Sequence, residues 1–378
     1  LWPCILPAQS FDEYFLESLR YKHKSDPAGA FESLQKALEI DSTSSAALYE
    51  IAHYYLFLNQ GDKALDALQK AVRYAPENTE YKHLLAGLCR ELQHTDEAVA
   101  LYEALSEAKP QNPEWLYYLG GLYLKQKRID KVVETFQQLK SMGIDDWEEI
   151  APLSDWLKIL EDALKKEDTD EIIHICETAL EYFPDIPEFY LYSGSAYYIK
   201  KDYDKALLVF LSGMKHTPSD KLSFLSALAG QIGDLYHLSN QKEKAYAYYD
   251  KALEYNDKNI GALNNYAYYL SLDKTDLDKA ERMAATAVQL QPNNSTYIDT
   301  YAWVFYQKGN YSLAKFYIEN AISKTDRPSG ELLEHYGDIL LQFGQTDKAL
   351  AEWEKAIAVY EENGENTENL KQKINTIP

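Results

Sequence analysis

Ala64-Leu-Asp-Ala-Leu68-Gln-Lys-Ala71-Val-Arg-Tyr-Ala-Pro76 returns, 34 residues later, as Ala98-Val-Ala-Leu-Tyr102-Glu-Ala-Leu105 closing on Pro110. The offset is the same from Ala64 to Ala98 and from Pro76 to Pro110, which makes it a period. Carried backward, the frame catches Ala30, Leu34 and Ala37; carried forward, it catches Val132, Phe136 and Leu139. It continues through Ala206, Phe210 and Gly213, Ala245, Tyr249 and Ala252, and Ala280, Ala284 and Ala287. Ala314, Ile318 and Ala321, then Ala349, Trp353 and Ala356, complete it. Half a period upstream runs a second pattern, seen in Leu116-x-x-Leu119-Gly120-x-x-Tyr123, Tyr190-x-x-Ser193-Gly194-x-x-Tyr197 and Leu333-x-x-Tyr336-Gly337-x-x-Leu340. Both patterns have helical spacing, so each period holds two helices. Small residues such as Ala52, Gly120 and Gly194 let the two approach, and Tyr123, Phe136 and Trp353 fill the space left. Pro76, Pro110, Pro184, Pro218 and Pro292 end the second helix and set the turn.

Composition agrees. Of 378 residues 46% are apolar, enough for a core, and 32 tyrosines stand against only 16 glycines and 13 prolines. The 38 basic and 60 acidic residues leave a net charge of −22, which excludes nucleic acid as the main partner because phosphate neutralisation needs clustered cations. No apolar run approaches the 18 or so residues that a transmembrane helix requires.

The alternation of large and small positions resembles the tetratricopeptide repeat over about residues 11–363. The resemblance implies an all-α, right-handed superhelical solenoid of about ten helix-turn-helix units. In this frame repeats one to four occupy 11–146, five and six 153–220, and seven to ten 226–363. Two insertions interrupt them: 147–152, expected to be a joint between rigid blocks, and 221–225, expected to lengthen a join. Repeat five is the most degenerate, with Leu160 where others carry Gly or Ala, and single-residue additions fall near 273–277 and Pro328. Residues 364–378 read as a cap containing a short polar helix that covers the last apolar face. The stretch 260–363 resembles a bacterial envelope subgroup of the family. The residues that carry this are Ala262-Leu-Asn-Asn-Tyr-Ala267, Tyr301-Ala-Trp303-Val-Phe-Tyr-Gln-Lys-Gly309 and Glu334-His-Tyr-Gly-Asp338 before Ala349-x-x-x-Trp353.

Residues 1–10 carry no charge and end in Ala8-Gln9-Ser10, the pattern of a signal-peptide end, with cleavage expected after Ser10. Pro3 and Trp2 before Cys4 depart from a lipobox, so a lipid anchor is not expected. Cys89 and Cys176 fall at core positions of repeats that are not neighbours, which predicts small buried hydrophobes and no disulfide.

Nucleotide-binding, metalloprotease, thiol-redox and hydrolase motifs are all absent from the sequence, and acidic pairs such as Glu148-Glu149 read as solvated helix faces. The chain therefore reads as a non-enzyme without a cofactor. His23, His53 and His83 recur every 30 residues, but three histidines on separate helices do not readily converge on one metal ion.

The concave face of a solenoid is its default binding face. First-helix positions there give Tyr49, Tyr117, Tyr198, Tyr268, Trp303 and Tyr306, turning acidic with Asp299, Glu331, Glu334 and Asp338. Aromatic anchors beside fixed acids suit a protein partner, a peptide or helical segment with apolar and basic residues. Family members that bind chaperone tails grip a carboxylate with Lys, Asn and Arg; Tyr49, His53, Gly230 and Asp234 stand here instead, so an acidic tail is not expected. The resulting expectation is a protein-binding scaffold of the bacterial cell envelope, periplasmic or outer-membrane-associated. A glycan or small-molecule module using Tyr and Trp, and a cytoplasmic adaptor, are the alternatives.

Overall fold

The computed structural model describes residues 10–377, so Cys4 and the expected leader up to Gln9 lie outside the described residues. Among these residues there are helices and no strand. In order they are α1 (Phe11–His23), α2 (Pro27–Ile40), α3 (Ser45–Phe57), α4 (Gly61–Tyr74), α5 (Thr79–Glu91), α6 (Thr95–Ala108), α7 (Pro113–Lys125), α8 (Ile129–Ser141) and α9 (Trp147–Ile150). There follow α10 (Leu153–Lys166), α11 (Thr169–Leu180), α12 (Pro187–Ile199), α13 (Tyr203–His216), α14 (Leu222–Leu238), α15 (Lys242–Tyr255) and α16 (Ile260–Asp273). The last are α17 (Leu277–Leu290), α18 (Ser295–Gln307), α19 (Tyr311–Ser323), α20 (Gly330–Gln342), α21 (Thr346–Glu362) and α22 (Glu368–Asn375). Apart from α9 and α22 they pair into ten antiparallel hairpins, an all-α solenoid architecture.

The described residues form two compact units, divided between Tyr182 and Phe183. The first holds repeats one to five with α9, and the second holds repeats six to ten with α22. In several hairpins a large residue of the second helix lies on a glycine of the first. Phe210 covers Gly194 and Trp353 covers Gly337, each closer than any Cβ would allow. Tyr249 comes within 2.9 Å of where a Cβ on Gly233 would stand. Trp353, Cys89 and Cys176 are fully buried, as their register requires.

The period is also written in the backbone. The turn between the two helices of every repeat holds a residue with positive φ: Ser25, Asn59, Gln93, Lys127, Glu167, Lys201, Asn240, Lys274 (with Asp276 a second in its turn), Gly309 and Gly344. Their spacings are 34, 34, 34, 40, 34, 39, 34, 35 and 35 residues. The two long intervals contain the insertions, and the 35-residue ones the single additions.

The insertion at 221–225 differs from expectation. Residues 221–225 are not a lengthened join: Leu222-Ser-Phe-Leu225 is the first turn of the 17-residue α14, with Leu225 buried. This stretch holds neither proline nor glycine, so nothing stops the helix from extending backward. Residues 147–152 lie inside the first unit, with repeat four before them and repeat five after. There α9 wedges into the crevice between α7 and α8. Ile150 Cγ2 stands 2.7 Å from a Cβ position on Gly120, and Trp147 stacks on Phe136 with ring centroids 4.7 Å apart. In consequence α10 touches α7, and α11 touches α8.

At the far end Leu370 of α22 is buried against Leu333, Leu340, Trp353 and Ala356, so the cap covers the final face of repeat ten.

Candidate functional site

The ten expected partner-binding residues divide between the two units. In the first, Tyr49 stacks on Tyr81 at 4.5 Å, meets His53 edge-on at 4.8 Å and donates to Glu80 at 3.2 Å. Tyr117 is held by its own chain: its hydroxyl bonds Glu149 of α9, and burial with that carboxylate pushes its pKa up to about 12. Tyr117 is thus half-buried, with α9 on one side of it. His53 and His23 are exposed, while His83 accepts from Trp115 Nε1 at 3.3 Å, so the three histidines do not converge.

In the second unit Tyr198 of α12 remains 36% exposed. The others gather on α16, α18 and α20. Trp303, expected as an exposed anchor, is only 7% exposed. Its indole lies flat between Tyr306, at 4.6 Å, and His335, at 3.9 Å, a sandwich that removes both ring faces from solvent. Asp299 is likewise buried, and His335 Nδ1 stands 2.9 Å from its Oδ1. Burial disfavours the imidazolium, yet Asp299, with Glu331 and Asp338 beyond it, prevails and raises the His335 pKa. Tyr268 donates its hydroxyl to Glu331, and burial together with that carboxylate raises its pKa.

Glu334 and Asp338, expected to face a partner, are engaged by α22. Lys373 Nζ lies 2.5 and 2.8 Å from the two oxygens of Asp338 and 3.3 Å from Glu334. Trp353 Nε1 donates to Asp338 at 3.1 Å, and Tyr360 donates to Glu334 at 3.2 Å. Asp338 is nonetheless raised above the usual carboxylate range, because burial outweighs Lys373. Two residues that sequence reasoning misses are therefore His335 and Lys373, and Glu331 matters more than its place in the acidic row suggests. Asp299 and His335 are 36 residues apart, close to one repeat, and a search for opposite charges at about that spacing finds them. No such spacing marks Lys373.

The site is a stacked aromatic wall with four carboxylates and two cations around it. Among the described residues no three His, Cys, Asp or Glu side chains stand close enough to hold a metal ion.

Tetratricopeptide repeat families match residues 23–88 and 90–153, 157–216 and 301–366, and 228–259. The chain belongs to the tetratricopeptide repeat family. The fold of this family is generally a scaffold for protein–protein interaction, without catalysis of its own. A TPR repeat-containing protein of Pseudomonas aeruginosa is 26% identical over 210 residues, covering 53% of this chain and 34% of that protein. The chain thus matches about a third of that relative's length. Similar solved structures include a tetratricopeptide repeat protein of Parabacteroides merdae, 17% identical with a TM-score of 0.30 over 97% of this chain and 98% of that one. Yeast Tom70 is 15% identical, with a TM-score of 0.38 over 92% of each chain. No helix among the described residues is long and apolar enough to cross a membrane.

Proposed function

We propose that this tetratricopeptide protein is a non-catalytic scaffold of the bacterial cell envelope, exported and periplasmic or outer-membrane-associated. It holds a segment of another protein, extended or helical, on the aromatic and acidic face of repeats eight to ten. One observation carries the reading of the site: Asp299, Glu331, Glu334 and Asp338 surround the Tyr306–Trp303 stack against only His335 and Lys373. The face therefore keeps a negative charge after its internal pairs are formed, which favours a segment with basic and apolar residues. Half-buried Tyr268 and Tyr306, with exposed Glu331, are the groups such a segment would meet.

A photo-crosslinking residue at position 306, expressed in the native cells, tests this. Crosslinked peptides rich in Lys or Arg are expected, with Tyr306→Ala weakening the captured partner by about 1–2 kcal/mol. Crosslinks spread evenly over abundant proteins would sink the reading. Export is supported by Ala8-Gln9-Ser10 and by the resemblance of 260–363 to envelope proteins. It predicts a mature chain beginning at Phe11. Ser10 is, however, the N-cap of α1, accepting from Glu13 N at 3.3 Å while its own N donates to Glu13 at 2.8 Å. Cleavage after Ser10 would remove this capping box at a cost of about 1 kcal/mol at that helix end. N-terminal sequencing decides: residues 1–10 still attached in native cells would overturn export.

A further inference from the structure

The first unit contains a reversal of the chain's charge. A cavity of about 310 Å³ is lined by Arg90 of α5, Lys125 ending α7, Lys127 in the next turn, and Asp155, Lys158 and Asp162 of α10. Acids outnumber bases 60 to 38 in the whole chain, whereas here four cations face two carboxylates. Lys127 Nζ is 3.5 Å from Asp162 and 3.6 Å from Glu171, so those charges offset one another. Lys125 and Lys158 are exposed, and among the described residues neither forms an ion pair. The Arg90 guanidinium rests on the Tyr118 ring, 4.0 Å from its centroid. Arg90, Lys125 and Lys158 therefore face Asp155 alone.

The wedge produces this space. With α9 filling the crevice beside α8, α10 meets α7 instead, and the cavity opens between that contact and α5. Leu122 and Ile159 give it an apolar floor, and Gln93 and Thr95 add neutral hydrogen-bonding groups. A guanidinium fixed by stacking presents its fork in one orientation, which suits the paired oxygens of a carboxylate or phosphate. Two exposed ammonium groups beside it add charge without fixing shape, and the volume is that of a small-ligand site.

We infer that this cavity binds a small multivalent oxyanion, a phosphate or polycarboxylate compound, bridging repeats three, four and five across the insertion. The inference does not rest on the groove in the second unit. Bound anion ties α10 to α5 and α7 across the insertion.

The test is titration calorimetry on the full chain at constant ionic strength, with pyrophosphate and citrate as separate probes. One of them binds saturably with one site per chain, and which one does so assigns phosphate or polycarboxylate. Amide exchange over 141–166 slows when it is bound. Lys125→Ala with Lys158→Ala weakens binding at least about tenfold, since two of the three cations that face Asp155 are lost. Arg90→Lys keeps the charge but loses the fork, and weakens binding several-fold; it carries the test should the double variant melt early. No saturable binding of either probe at millimolar concentration overturns the inference. So does an affinity that the lysine variants leave unchanged, or binding at these lysines by a Glu-rich peptide alone.

Discussion

The Asp299–His335 pair makes stability depend on pH. His335 prefers its proton more in the folded chain than in the unfolded one, where an imidazole titrates near pH 6.5. Its contribution is therefore complete below about pH 6.5 and fades as pH rises through the higher folded value. Urea unfolding of the second unit should show a stability loss as pH rises above about 6.5 that His335→Gln flattens; equal slopes in both proteins would refute the assignment. Trp303→Ala removes the middle of a three-ring stack, so a loss of about 3–5 kcal/mol is expected in the same assay. A different kind of residue offers the opposite sign. Glu167 is exposed, has φ of 56° and caps α10. Glu167→Gly relieves the left-handed conformation and should stabilise by roughly 0.5–1 kcal/mol, read as a higher melting temperature. No change at all would mean that the Glu167 side chain contributes something of equal size.

Among elements, α9 is the one whose behaviour follows least from the repeat. Its hold depends on Trp147 against Phe136 and Tyr182, and on Ile150 over Gly120. Because α9 replaces the usual contact of α10 with α8, amides over 141–166 should exchange faster than those of repeats two or nine. Trp147→Ala should accelerate them further without altering repeat two; uniform protection before and after would remove α9 as a weak point. How far such elements can be read from sequence depends on what recurs. The hairpins are legible because fits such as Phe210–Gly194 and Trp353–Gly337 leave a large and a small letter at fixed places in the period. The first turn of α14 is not, since Leu222–Leu225 breaks the period while continuing a helix. The acids of α20 fall on the helix where the period puts them. That Lys373 claims two of them is hidden, because a cap expected over the last apolar face carries no pattern that says which of its polar residues turns to α20. Trp303 shows the same limit: helical phase tells which face a side chain takes, not whether neighbours from the next repeat cover it.

At the scale of the molecule, the division between residues 182 and 183 predicts two unfolding steps rather than one. Trp156 and Trp353 are each fully buried, one in either unit. Trp156→Ala should lower only one transition and Trp353→Ala only the other, by about 3–5 kcal/mol each. A single transition shifted equally by both would show one cooperative block. Lys373→Ala loosens α22 from Glu334 and Asp338 and uncovers the apolar face behind Leu370, so it should also raise the apparent mass in sedimentation at high concentration.

The indole of Trp303 and the imidazole of His335 also form an optical device. A protonated imidazole in face contact with an excited indole drains its emission, whereas the neutral ring does so far less. Light emitted by Trp303 should therefore be dim in acid and brighten as His335 loses its proton. The difference between the spectra of the wild-type chain and Trp303→Phe isolates that signal from the other tryptophans. A bound segment that reached this face and shifted the proton would announce itself as a change in intrinsic fluorescence, with no label attached.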